Sequence, residues 1–200
     1  MNIKNMIPFL DDEDLKELAE KIVSSPAGEV QGVKLDDLLP FMDDDDIDEM
    51  FVAAFKNGEN VECFLPFASD DGIEEAVDLA LAGDGKANLS SLLPYADDET
   101  IEKIADKVLL NGGTFAGLST DDLLPFLDDD YVDKLFLQEL KKGGDGYQQY
   151  VPFVSDDALS EAVEMYLQGK LDDSVIDALY PFLDEDDIND IFHHAINTEK

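Results

Sequence analysis

The stretch Leu123–Leu135 reads LLPFLDDDYVDKL, and near copies recur as LLPFMDDDDIDEM at 38–50, LLPYADDETIEKI at 92–104 and YPFLDEDDINDI at 180–191. A proline followed by an aromatic sets the register. Pro8, Pro40, Pro66, Pro94, Pro125, Pro152 and Pro181 precede Phe9, Phe41, Phe67, Tyr95, Phe126, Phe153 and Phe182. Successive prolines lie 32, 26, 28, 31, 27 and 29 residues apart, so seven units share a period near 29. A fixed period of this size marks a repeat architecture. Prolines three units apart are separated by 85 to 87 residues, and units so related are most alike, as in FASDDGIEEAVDLAL at 67–81 and FVSDDALSEAVEMYL at 153–167. A block of three units, duplicated, with a seventh unit left over, accounts for that superperiod.

Counting forward from each proline gives one physical design. The seventh residue is apolar throughout: Leu15, Ile47, Ile73, Ile101, Val132, Leu159 and Ile188. Three and four residues on stand pairs such as Met50/Phe51, Leu135/Phe136 and Ile191/Phe192, and a turn later Ala54/Phe55, Val108/Leu109 and Ala195/Ile196. Only Glu139 interrupts the stripe. Apolar residues at i, i+3, i+4, i+7 and i+8 predict an amphipathic helix of about thirteen residues.

The third residue after each proline is Asp11, Asp43, Ser69, Asp97, Asp128, Ser155 or Asp184. All are residues whose side-chain oxygen can accept an orphan N–H at a helix start. The apolar residue before each cap and the apolar residue at the fourth helical position form a hydrophobic staple. Gly58, Gly83, Gly112, Gly143 and Gly169 stand where a left-handed C-terminal cap is expected, and Ser25-Pro26 replaces the glycine in the first unit. The segments leading into each proline, such as VKLDDLLPF and YQQYVPF, predict a short helix or turn, since proline is tolerated only in a first helical turn. No alternating β-branched run survives four positions, so no strand is predicted. The expected fold is all-α: an α-solenoid of seven helical hairpins forming one domain over residues 1–200, units beginning near 8, 40, 66, 94, 125, 152 and 181. The Gly-rich segments at 83–86, 111–117 and 143–146 sit at inter-helix turns and not at domain linkers.

The LLPFLDDD run entering an amphipathic helix at a period near thirty resembles the short HEAT-like repeats of the phycobilisome-lyase type, over all seven units. Where such repeats carry a Val-Arg pair early in the second helix, this chain has Val132-Asp133 and no Arg anywhere. The resemblance implies an α-solenoid that binds or scaffolds other macromolecules.

Charge bounds the partner. The chain carries 49 Asp plus Glu against 13 Lys, a net charge of −36, while 44% apolar content suffices for a real core. Such a surface repels DNA, RNA and anionic lipid, so direct nucleic-acid and membrane binding are not expected. The N-terminal MNIKNMIPFLDDED lacks the pattern of a signal peptide, no apolar run approaches a membrane span, and the expected location is cytoplasmic. The single cysteine, Cys63, makes no internal disulfide.

Candidate chemistry centres on the acids after each staple. One cap and one dipole partner would satisfy each helix start, at about 0.3–1 kcal/mol per acid. The remaining acids form the candidate interaction surface: Asp12, Asp44, Asp45, Asp70, Asp71, Asp98, Asp129, Asp130, Asp156, Asp157, Glu185 and Asp186. A calcium loop is not indicated, because Ile47 and Ile188 occupy the ligand position after Asp43-Asp45 and Asp184-Asp186 and no glycine follows. His193 and His194 are adjacent, so they point about 100° apart on a helix and cannot act as an i, i+4 metal pair. Cys63 lies near Glu59 and Glu62, which disfavour its thiolate, and it is expected to pack. GlyGly at 112–113 and 143–144 follows helices, where no phosphate cradle forms. No catalytic residue, metal or cofactor is expected. The leading expectation is a non-enzymatic protein-binding or scaffold module for a partner with a basic surface. The alternative is an acidic nucleic-acid mimic inhibiting a DNA-binding or DNA-cleaving protein. Helices stacked about 8–10 Å apart would set seven acidic clusters along roughly 60 Å, over which duplex DNA presents about 35 phosphates.

Overall fold

The computed structural model describes residues 3–86 and 88–198. Among the described residues the chain is all-α apart from a hairpin of two-residue strands and one isolated bridge, and it packs as two compact units, Met1–Ser119 and Thr120–Lys200.

The first unit holds α1 (Asp12–Val23), α2 (Asp44–Asn57), α3 (Asp70–Ala82) and α4 (Asp98–Leu110), followed by β1 (Thr114–Phe115) and β2 (Leu118–Ser119). Helix α2 packs on α3 and α3 on α4, while α1 lies against a 3-10 turn at Leu35–Asp37. The apolar stripes meet in a core where Phe51 and Phe55 are fully buried, with the Phe64 ring 6.3 Å from Phe51. The second unit holds the single turn α5 (Thr120–Leu123), then α6 (Asp129–Lys142), α7 (Asp156–Leu167), α8 (Asp173–Leu179) and α9 (Glu185–Thr198). Helix α7 packs against α6, α8 and α9, and Phe136 meets Tyr147 edge-on at 6.3 Å within this core.

The helix starts follow from cap chemistry. Asp11 accepts from the Asp14 N–H at 2.9 Å, Asp97 from Thr100 at 2.8 Å, Asp128 from Tyr131 at 2.6 Å and Asp184 from Asp187 at 2.8 Å. Ser69 and Ser155 each accept from the residue three ahead at 3.2 Å. Each such bond satisfies one backbone donor that the helix leaves open. Asp43 stands at the same place on α2 without a side-chain cap bond. At the other end Gly58 (φ 79°, ψ 28°) takes the left-handed conformation that closes α2, a conformation costly for residues with a Cβ.

Six of the seven repeat prolines sit in the first turn of a short 3-10 helix, as at Leu39–Phe41, Leu93–Tyr95, Leu124–Phe126, Val151–Phe153 and Tyr180–Phe182, while Pro66 sits in a turn. The following aromatic donates its N–H three residues back, Phe41 to Leu38 at 2.8 Å and Phe153 to Tyr150 at 2.8 Å, so the missing proline N–H costs nothing.

Besides the missing Asp43 cap bond, and Gly143, whose φ 77°, ψ 164° is not the left-handed cap expected there, the structure departs from the sequence reading in two further places. A hairpin pairs Thr114 with Ser119 and Phe115 with Leu118, and Val30 bridges Val33 in the same way. Both turns place two successive residues at positive φ, Gln31-Gly32 (50° and 78°) and Ala116-Gly117 (48° and 85°), as a type I′ hairpin turn requires. Such short pairings leave no alternating run to read. The last position of the helical stripe also fails to reach the core in several helices, with Val23, Leu109 and Ile196 exposed.

Candidate interaction surface

The corner that joins a short helix to a long one sorts its side chains sharply. In the five middle units both residues before proline face inward: Leu38 and Leu39, Phe64 and Leu65, Leu92 and Leu93, Leu123 and Leu124, Tyr150 and Val151 are all buried, whereas in the first and last units Ile7 and Leu179 are buried and Met6 and Tyr180 are exposed. The seven repeat prolines are exposed, and the aromatic that follows shares that side. Phe9 is 87% exposed; Phe41, Tyr95, Phe153 and Phe182 are exposed, and Phe67 and Phe126 are half-buried. The chain then extends, turns one apolar residue back inward and enters the cap, as at Met42 (φ −89°, ψ 155°). The aromatics are therefore not core residues. A Phe at this spacing reads as apolar filling, and only the 3-10 geometry turns it outward.

The twelve acids named from the sequence lie beside these corners, every one exposed in the first turn of α1, α2, α3, α4, α6, α7 or α9. Among the described residues none of the twelve side chains is paired with a cation. The lysines pair elsewhere: Lys4 with Asp37 at 2.7 Å, Lys16 with Asp46 at 2.5 Å and Glu49 at 2.8 Å, Lys21 with Glu17, Lys103 with Glu74, and Lys142 with Glu139 at 2.5 Å. Apart from α2, whose Asp43 makes no cap bond, each first turn spends one acid or serine on its cap and leaves the next acids facing water. Crowding shows at the first two helices: the negative charge of Asp12, above all, pushes the Asp43 carboxyl above its ordinary range. Asp97 is held below that range by its hydrogen bonds from Thr100.

The sequence reading missed a set of polar junctions at the eighth residue after five of the repeat prolines. The Asp48 carboxylate accepts from the Ser69 N–H at 2.9 Å and from its hydroxyl. Asp133 accepts from the Ser155 N–H at 2.9 Å and from its hydroxyl. Lys16 donates to Asp46 and Glu49, Glu74 accepts from Lys103, and Ser160 donates to Asp187 at 3.0 Å. These bonds tie one long helix to the start of the next. The signal was present as a polar residue directly after the first residue of the apolar stripe, but its chemistry varies from unit to unit, so no common motif stands out.

The remaining candidates hold no converging chemistry. Cys63 is half-buried on the wall of a cavity of about 580 Å³ near Val23, Leu35, Ala53 and Phe64, and burial, with Asp36 nearby, pushes its thiol up. His194 stacks edge-on with Tyr166 at 6.0 Å and His193 lies against Phe192 at 5.7 Å, so the two imidazoles have separate partners. Among the described residues no three His, Cys, Asp or Glu side chains are grouped to hold a metal ion, and no helix is long and apolar enough to cross a membrane. Comparison with protein-family models, with curated proteins and with solved structures found no match.

Proposed function

We propose that the chain is a non-enzymatic helical-repeat module that binds another protein with a basic surface through the row of exposed Pro-aromatic corners and the acids beside them. The architecture proposed with it is an α-solenoid of seven hairpins, period near 29 and superperiod near 86, with the repeats running through both compact units. Two recurrences support that architecture: the Asp48–Ser69 and Asp133–Ser155 junctions, and the paired turns at Val30–Val33 and Phe115–Leu118. The cytoplasm is the proposed place of action.

The observation that carries the binding reading is the coincidence, corner by corner, of an exposed aromatic with acids that have no cation among the described residues. A lysine or arginine of a partner gains from both, from the carboxylates by charge and from the ring face by cation–π attraction of about 0.5–1 kcal/mol at an exposed site. The second reading, an acidic nucleic-acid mimic, is favoured by the same acids but gives the aromatics no role.

One capture experiment separates the two. Three immobilised proteins are compared: wild type, a variant with Asp12, Asp44, Asp98 and Asp129 changed to Asn, and a variant with Phe41, Tyr95, Phe153 and Phe182 changed to Ser. Captured proteins are identified, purified and titrated at rising salt. The proposal expects one basic partner whose affinity falls about tenfold or more with either variant, since exposed pairs contribute a few tenths of a kcal/mol each. A captured DNA-handling enzyme sensitive to the acids and indifferent to the aromatics establishes mimicry instead. A partner indifferent to both variants removes this surface from consideration.

A further inference from the structure

Helix α9 is covered on one side only. The residue seven after proline is buried in the six preceding long helices: Leu15, Ile47, Ile73, Ile101, Val132 and Leu159 are at most 4% exposed. The residue eleven after proline is buried as completely, at Ala19, Phe51, Val77, Ala105, Phe136 and Val163. On α9 these two positions are Ile188, 37% exposed, and Phe192, 58% exposed, and Ile196 one turn on is 55% exposed. The position between, Ile191, is 5% exposed, on a helix that packs against α7. The side that earlier helices hide is therefore open on the last one.

Helix α1 is open in the complementary sense. Its Leu15 and Ala19 are buried, but Leu18, the counterpart of Ile191, is only half-buried. With Ile3, Met6 and Leu10 it lines an apolar groove of about 310 Å³ edged by Asp14 and Glu17. The chain carries an apolar ridge on its last helix and an apolar groove on its first.

The polar junctions say how the two would register. In five junctions the eighth residue after proline meets the third, sixth or ninth residue of the next unit, donor against acceptor: Lys16 with Asp46 and Glu49, Asp48 with Ser69, Glu74 with Lys103, Asp133 with Ser155 and Ser160 with Asp187. On α9 the eighth residue is Asn189, whose amide has two donor hydrogens. On the first unit the third, sixth and ninth residues are Asp11, Asp14 and Glu17, all acceptors. The residue types on α9 of one copy and α1 of another therefore match the donor–acceptor rule of the junctions.

We propose that a second copy of this chain covers α9: Ile188, Phe192 and Ile196 of one copy seat in the Ile3, Met6, Leu10 and Leu18 groove of the next, with Asn189 donating to Asp11 or Asp14. The contact is heterologous, so it extends copy by copy unless the rotation closes a ring. The net charge of −36 on every copy opposes it, and salt that screens charge beyond a few ångströms favours it.

Sedimentation velocity of the full chain over a concentration series at about 0.5 M NaCl tests this. Two charge-neutral variants are used, Phe192→Asn/Ile196→Gln at the ridge and Met6→Gln at the groove, with circular dichroism to check that each keeps the wild-type helix content. The wild type is expected to grow past the dimer as concentration rises. Each variant alone is expected to stay monomeric, and their mixture to stop at a one-to-one dimer, because only one competent contact remains. Asn189→Lys, which copies the Lys16 junction, is expected to tighten association about two- to fivefold at low salt, a change that altered folding alone does not produce. Three results overturn the proposal: a wild type that stays monomeric throughout, self-association of the groove variant alone, which means ridge meets ridge, or growth of the ridge variant as in the wild type.

Discussion

Asp43 is the residue whose chemistry is least at ease. It occupies a cap position, makes no side-chain cap bond, and faces Asp12 of the preceding helix. Its folded pKa lies above the ordinary 3.8, so the folded chain binds the proton better than the unfolded one. The stabilising effect of that proton is fully present below 3.8 and is lost as pH rises through the higher folded value. Asp43→Asn keeps a good cap residue and removes the charge. Thermal melting at neutral pH is expected to shift upward, with a flatter dependence in the window just above pH 3.8; an unchanged melting temperature would show that the Asp12 charge is relieved by solvent.

Between elements, the eighth-position bonds join one long helix to the next. Ser155 serves two partners at once, capping α7 through the Ala158 N–H at 3.2 Å and donating its hydroxyl to the half-buried Asp133 of α6. Ser155→Ala removes both and leaves Asp133 with the backbone N–H alone. Loss of a cap and of one bond to a charged group is expected to cost about 1–2 kcal/mol, which lowers the melting temperature by about 2–4 °C per kcal/mol in a chain of this size. A double-mutant cycle with Asp133→Asn is expected to return a coupling of about 0.5–1.5 kcal/mol, and additivity would show that the bond does not join the helices. These junctions were hard to read from sequence because a lysine, three acids and a serine fill one structural role. The helices they join were easy to read, because stripe, staple and cap all fall within one element and agree with each other.

For the molecule as a whole, the balance of 49 acids against 13 lysines means that self-repulsion outweighs its surface ion pairs. Several lysines are already committed, and the hydrogen bonds that Lys16 donates to Asp46 and Glu49 hold it well above the usual lysine range. Screening weakens those exposed pairs only slightly, since such pairs contribute about 0–1 kcal/mol each, while it relieves repulsion among the many unpaired acids. The melting temperature is therefore expected to rise by several degrees as NaCl increases from about 0.02 to 0.5 M. A fall over that range would mean that the lysine pairs, and not the core, hold the helices together.

The sequence by itself determined where the long helices start, which residues cap them and which stripe they bury, because these are set by interactions three or four residues apart. It also named the acids beyond the caps, since the caps needed only one each. Tertiary structure alone decided which side of each proline corner faces water, putting Leu38 and Leu39 inside and Phe41 outside although all three read as apolar. It also decided which polar residue meets which cap and left Phe192 bare where Phe51 and Phe136 are buried. Those outcomes depend on neighbours about thirty residues away, which periodicity along one helix does not encode.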